Sequence, residues 1–146
     1  MTRTFSLPSE ALGFYLGYAL YHYDEVAIVS PWVSDVQVTF PVNDLDLDRR
    51  LYLSEAIDEL SEGTKVKLYL RSGQDHNHYI TSKLDDSVDT QMVDDLHAKA
   101  IVTPESVYVG SANVTLGGLS INRELCQLVE NDYDSIEAYI AAELEL

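Results

Sequence analysis

Apolar residues spaced for helices and apolar residues spaced for strands take turns along this chain, and that interleaving most constrains its fold. Ser9 can cap a helix running to about Tyr23, whose Leu12, Tyr15, Leu16, Ala19 and Leu20 recur at three- and four-residue spacing. Glu25 to Ser30 (EVAIVS) is a short β-rich run closed by Pro31, and Val36, Val38 and Phe40 alternate with polar partners before Pro41. Asp46 or Asp48 can start a second helix, with Leu53, Ile57 and Leu60 on one face and Gly63 as its stop. Lys65 to Leu70 alternates as a strand. The polar stretch from Gly73 to Asp95 holds a short helix around His78 to Leu84 and a strand near Thr90 to Val93. His97 to Val102 reads as a strand, Pro104 and Glu105 as a turn, and Ser106 to Val109 as the hairpin partner. A strand at Glu124 to Val129 follows. The end helix has Asp134 as cap, Glu137 three residues on, and Ile136, Tyr139, Ile140 and Leu144 on one face. This order predicts an α/β layered domain, a mixed β-sheet flanked by helices. The 146 residues fit one domain, residues 1–146.

Composition narrows the class. A hydrophobic content of 46% is that of a globular protein and excludes a disordered tail as the main content. No apolar run approaches the roughly 20 residues a membrane span needs, and the N-terminus lacks an apolar stretch with a small-residue cleavage site. The expected location is the cytoplasm. Cys126 is the only cysteine, so neither an internal disulfide nor a Cys-based zinc cage can form. Acidic residues number 25 against 9 basic ones, four of them Lys, for a net charge of -16. A protein built for concentrated salt explains this, because surface carboxylates keep it hydrated while their repulsion is screened within a few ångströms. An ordinary acidic protein and an acidic surface for basic partners are the alternatives, and neither predicts the scarcity of Lys. The charge weighs against a polyanionic substrate, though counterion release counts for little in high salt.

Chemistry concentrates between Leu96 and Leu128 (LHAKAIVTPESVYVGSANVTLGGLSINRELCQL). His97 and Lys99 are two apart on an expected strand, so both side chains share a face, an imidazole beside a fixed ammonium. Eleven residues after Lys99 begins Gly110-Ser111-Ala112-Asn113, which can wrap a phosphate oxygen. Asn122 and Glu124 lie nine and eleven residues beyond Asn113. Gly117 and Gly118 permit a tight return that would bring Glu124 beside His97. A carboxylate in the otherwise apolar RELCQLV wants a partner.

His-x-Lys, then Gly-Ser-x-Asn, then Asn-x-Glu resembles the signature of the phospholipase D superfamily, the HKD motif. The resemblance is strongest over residues 96 to 130. Upstream, the strand ending in Ser30-Pro31-Trp32 and the strand Lys65 to Leu70 look like that family's sheet. The chain departs from the pattern at one position, where the family expects Asp seven residues after the His and Pro104 stands instead, with Glu105 next. In the family that Asp is usually taken as a structural hydrogen-bonding residue near the turn. Glu105 can substitute one position late, or the turn can hold without it.

The resemblance implies a metal-independent, cofactor-free phosphodiesterase in which His97 attacks phosphorus to give a phosphohistidine that water hydrolyses. Glu124 would fix the ring tautomer, and Lys99, Asn113 and Ser111 would hold the phosphate oxygens. Ser30, Trp32 and Asn122 are candidates for substrate binding, since α/β folds place ligands at strand ends. Only one motif is present, so His97 of the partner subunit would serve as general acid and the active unit would be a homodimer. Short single-motif members are more often nucleases, which favours nucleic acid over phospholipid. The rival is a catalytically degenerate binding or scaffold module, and action within a larger assembly is a further expectation. A His97 read alone is more often structural than catalytic. Asp75-His76-Asn77-His78 reads as a polar loop before a metal site, and Asp94-Asp95 as a solvated strand end. Gly110-Ser111 lacks the Gly-x-Ser-x-Gly of a hydrolase elbow.

Overall fold

The computed structural model describes residues 4–7, 11–40, 50–115 and 125–146. In chain order they form β1 (Thr4–Leu7), α1 (Ala11–His22), β2 (Glu25–Val29), β3 (Gln37–Thr39), β4 (Arg50–Tyr52), α2 (Leu53–Glu59) and β5 (Lys65–Arg71). A 3₁₀ turn (Asp75–Asn77) leads into α3 (His78–Lys83), then β6 (Asp89–Val93), β7 (Ala100–Val102), β8 (Ser106–Gly110), β9 (Cys126–Glu130) and α4 (Ile136–Glu143).

Seven strands make one sheet in the order β1-β9-β8-β7-β2-β5-β6. β2, β5 and β6 run parallel, because helical segments carry the chain back between them, while β7, β8, β9 and β1 are antiparallel. β3 and β4 pair apart as a small antiparallel ribbon. The mixed α/β architecture expected from the alternating pattern is the one the chain adopts.

Both faces of the sheet are covered, which is why β2 reads as a continuous apolar run and is buried from Val26 to Val29. One face packs Val26, Ile28, Leu68, Ile101 and Tyr108 against Leu12, Leu16 and Leu20 of α1 and Leu53, Ala56 and Ile57 of α2. The other packs Ala27, Val29, Ala100, Val102 and Val107 against Ile136 and Ile140 of α4. Each buried Leu or Ile contributes about 1.5–3 kcal/mol of burial. α1 lies so close to β3 that a Cβ on Gly17 would sit 2.1 Å from the Thr39 carbonyl oxygen.

Several boundaries differ from the sequence expectation. Asp46 and Asp48 lie outside the described residues, and α2 begins only at Leu53, after β4. Its first turn is capped from a distance: Asp35 accepts from the Ser54 backbone N–H and from its hydroxyl, both at 2.7 Å. α2 ends before Gly63, which sits in the following turn. α4 is capped by Ser135, not Asp134: extended backbone at Ser135 lets its Oγ accept from Ala138 N–H at 3.0 Å. β7 starts at Ala100 instead of His97. Ser9 also lies outside the described residues. β1, which no local pattern announced, pairs with β9 more than a hundred residues later. Among the described residues, no helix is long and apolar enough to cross a membrane.

Candidate functional site

The carboxyl ends of β2, β5, β6 and β8 and the start of β7 meet at one edge of the sheet, and the register shows which residues they bring there. Ile28, Ile101, Tyr108 and Leu128 form a cross-sheet row. Two residues further toward the edge, Lys99 stands beside Gly110 and Gly110 beside Cys126, while Ser30 is one residue past Val29, the last β2 residue that pairs with β7. Gly110 N–H donates to Lys99 O at 3.4 Å, one step past the β7 ladder. Gly110 must be glycine, because an added Cβ would lie 2.5 Å from Leu125 O and 3.1 Å from Cys126 Cα. The chain can then turn into Ser111 against β9, where Ser111 N–H donates to Leu125 O and Leu125 N–H to Ser111 Oγ, both at 3.0 Å.

Ser30 is the junction of this edge. Fully buried, its Oγ lies 2.7 Å from Trp32 O and 3.2 Å from Asn113 Oδ1, and accepts from Val114 N–H at 3.2 Å. The hydroxyl has one proton, so it serves one of the two oxygens at a time. With Asn113 Oδ1 turned toward Ser30, the amide's remaining hydrogen-bonding group is its Nδ2 donor. A parallel bridge between Val33 and Val114, with Ser34 N–H on Val114 O at 2.8 Å, ties the two loops together. Ser30 thus ties the Asn113 side chain to the Trp32 backbone.

Asn77, expected in a polar loop, is instead buried and braces the same loop as Ser30. Its Nδ2 donates to Pro31 O at 2.8 Å and its Oδ1 accepts from Val33 N–H at 2.9 Å. Trp32 is 44% exposed, with its indole N–H donating to Gln74 Oε1 at 2.9 Å. His76 Nε2 sits 2.8 Å from Ser34 Oγ. The polar run Gln74 to Asn77 is therefore the outer support of the Ser30-Pro31-Trp32 loop. Among the described residues no group of three or more His, Cys, Asp or Glu is placed to hold a metal ion.

His97 is exposed and Lys99 half-buried; the Lys99 ammonium reaches back to His97 O at 3.0 Å. Asp95, at a φ of 57°, makes the left-handed turn that leads from β6 into Leu96 and His97, a conformation Asp tolerates better than most residues. Asp94 accepts from Ser72 Oγ, and Asp95 Oδ1 lies 3.9 Å from an Arg71 guanidinium nitrogen. Ala98, Ala100 and Val102 pack toward α4 and Ile101 toward α1. His97 and Lys99 precede the strand, so the shared face expected from their two-residue spacing on a strand does not follow from β7 itself. Asn122 and Glu124 lie outside the described residues.

At the far end of the β7–β8 hairpin, where Pro104 stands for the motif Asp, Thr103 closes the turn. Its backbone N–H and its hydroxyl donate to Ser106 O at 2.9 and 2.7 Å, and its Oγ1 accepts from Ser106 N–H at 2.9 Å. Tyr15 OH meets Ser106 Oγ at 2.7 Å, and Asn131 Nδ2 donates to Thr103 O at 2.9 Å. Burial pushes the Tyr15 phenol above its usual range. Glu105 accepts from Tyr23 OH at 3.3 Å, and burial first, then Tyr18, push the Tyr23 phenol up to about 12.

No protein-family model and no curated protein matches the sequence. Solved structures do match. The phospholipase D family member Nuc from Salmonella typhimurium superposes with a TM-score of 0.67 at 15% identity, over 99% of this chain and 92% of its own. NucT from Helicobacter pylori does so with a TM-score of 0.62 at 17% identity, again over 99% and 92%. The archaeal chromatin protein TrmBL2 matches with a TM-score of 0.55 at 12% identity, over 98% of this chain and 50% of its own. With near-complete coverage of both chains in the first two cases, this protein shares the fold of these phospholipase D family members.

Proposed function

We propose that the chain, acting as a single domain over residues 1–146, is a metal-independent phosphodiesterase, a nuclease that cleaves DNA or RNA in a homodimeric site. The observation that supports it best is the convergence of Ser30, Lys99, Gly110-Ser111 and Asn113 on one sheet edge of this fold, with His97 exposed two residues beyond Lys99. A ring nitrogen of neutral His97 attacks phosphorus; the N–P bond forms as the bond to the leaving oxygen breaks, and His97 of the partner subunit protonates that oxygen. Water, deprotonated by the same partner histidine, then displaces His97 from phosphorus and completes the phosphomonoester. Lys99 and Asn113 Nδ2 face the oxygens where charge builds, Ser111 supports them, and Glu124 orients the ring. Asn122 and Trp32 contact substrate, and Ser30 holds Asn113.

Nucleic acid is placed before lipid because the likeness to Nuc and NucT runs over nearly the whole of both chains, whereas TrmBL2 and a phosphatidylserine synthase from Haemophilus influenzae match about equally well over only 50% and 38% of their own lengths. The acidic surface is read as an adaptation to concentrated salt, and the site of action as the cytoplasm. A binding or scaffold role would follow if the loss of the motif Asp at Pro104 disabled the site. The Thr103 network argues against that, since it closes the hairpin turn without that carboxylate.

The test is cleavage in high KCl with EDTA of single- and double-stranded DNA, RNA, an activated phosphodiester and phospholipid vesicles, by wild type and His97→Ala, with solution mass recorded alongside. EDTA-resistant cleavage by a dimer, lost in the variant, is expected. A folded dimer that cleaves nothing would move the function to binding, and cleavage that survives His97→Ala would remove the site.

A further inference from the structure

An exposed tryptophan held rigid beside a polar edge is unusual for a residue type that normally buries most of its surface. Trp32 is the chain's sole tryptophan. It is fixed at two points: its carbonyl accepts from the buried Ser30 hydroxyl at 2.7 Å, and its indole N–H is engaged by Gln74 at 2.9 Å. The loop beneath is braced by Asn77 at Pro31 and Val33. His76, the ring beside it, is tilted by 45° at 6.4 Å, so it abuts the indole without stacking flat on it. The hydrogen-bonding edge of the indole is thus satisfied inside the protein while much of the ring is left to solvent.

The other end of the same junction is Asn113. One buried oxygen, Ser30 Oγ, lies within hydrogen-bonding distance of both the Trp32 carbonyl and the Asn113 amide. The loop that carries the exposed indole and the amide expected to hold phosphate are thus joined through one buried hydroxyl, at the backbone of Trp32 and the side chain of Asn113. Three of the four histidines, His76, His78 and His97, and the cations Arg71 and Lys99 fall in the segments at this edge, alongside Asp35, Asp75, Asp94 and Asp95. In so acidic a chain, aromatic stacking can supply the affinity that cations do not, and every base offers a ring face.

We propose that Trp32 is a base-stacking platform that selects strands with an unpaired base next to the scissile phosphate, so that the site takes single-stranded nucleic acid. This rests on the phosphodiesterase reading of the same edge and adds the part of the substrate that the motif does not touch. Gln74 and Asn77 are positioning residues for the platform.

The lone tryptophan makes the test direct, because intrinsic indole fluorescence reports on Trp32 alone. Full-length His97→Ala protein is titrated, in EDTA, with a thymidine decamer, with the same decamer carrying abasic sugars, and with a duplex. The decamer should quench the indole and bind about tenfold tighter than the abasic strand and the duplex. In the Trp32→Ala background, followed by a dye on the strand, that preference should vanish, while Trp32→Phe keeps part of it. Equal affinity for base-bearing and abasic strands, or a preference that survives Trp32→Ala, would overturn the platform. So would Trp32→Ala converting a dimer to monomers, since the ring would then face the partner subunit. Cleavage by wild type, run in parallel, separates the two ideas. His97-dependent cleavage without a base preference sinks the platform alone, and base-dependent quenching without cleavage sinks only the catalytic step.

Discussion

The two ends of the β7–β8 hairpin carry similar numbers of polar side chains and use them in opposite ways. At the turn, Thr103 is fully buried and Thr103, Ser106, Tyr15 and Asn131 satisfy one another in a closed network. At the sheet edge, His97 is exposed, the Lys99 ammonium reaches a backbone carbonyl, and Asn113 has its Oδ1 beside Ser30 Oγ. Polar groups that close on each other hold a fold, and polar groups held from behind with a face to solvent are available for a ligand. The turn at Pro104 is secured by hydroxyls and an amide, so it closes without a carboxylate at that position.

Substitutions at the two ends should therefore separate activity from stability. His97→Ala should lower cleavage at least about a thousandfold, as loss of a nucleophile does, and leave stability within about 0.5 kcal/mol because the residue is exposed; denaturant melts beside a cleavage assay check both halves. Thr103→Val should do the reverse. It strands the Ser106 backbone N–H and should cost about 1–3 kcal/mol by urea unfolding, with cleavage per folded molecule unchanged. A Thr103→Val protein that is stable but inactive would break the comparison.

Ser30→Ala sits between the two ends. Removing the buried hydroxyl leaves Val114 N–H unpaired and releases Asn113, so about 1 kcal/mol of stability and about tenfold in cleavage should go together. Ser30→Thr, which keeps the oxygen, should restore part of the rate.

The smallest effect lies away from both ends, where Lys67 Nζ meets Glu137 Oε1 at 2.7 Å. The Glu25 carboxyl first, and Lys67 next, hold the Glu137 carboxyl down to about 2, while Glu25 is pushed above the usual range by its hydrogen bond to Glu137. The Glu137 contribution is full above the ordinary carboxylate range and fades as pH falls toward about 2. Glu25 acts with the opposite sign: its contribution is present while that carboxyl is protonated and lost as pH rises through its raised value. Lys67→Met should cost only about 0.5 kcal/mol in low-salt thermal melts at neutral pH, and less in concentrated KCl, because the pair is partly exposed.

Local periodicity made much of the fold legible. Leu12, Leu16 and Leu20 mark α1 because one face of it is buried, and EVAIV marks β2 because both faces of the sheet are covered. Features set by distant residues stayed hidden. β1 depends on β9, the start of α2 on Asp35, and the start of β7 on where its ladder to Val29 and Val109 begins. Asp134 and Ser135 are adjacent and both can cap, and only backbone geometry chooses Ser135. At the site, spacing led to an expected shared face for His97 and Lys99 and to a phosphate wrap at Gly110-Ser111-Ala112-Asn113. Asn77 did not announce itself, because its partners are 46 and 44 positions away in sequence.

The most direct test of the central claim is to quench wild-type protein with alkali during turnover of an activated phosphodiester and to map the adduct by mass spectrometry. The account predicts an alkali-stable, acid-labile phosphoryl group on the peptide carrying His97, absent from His97→Ala. Turnover with no adduct on that peptide, undiminished in the variant, would contradict it.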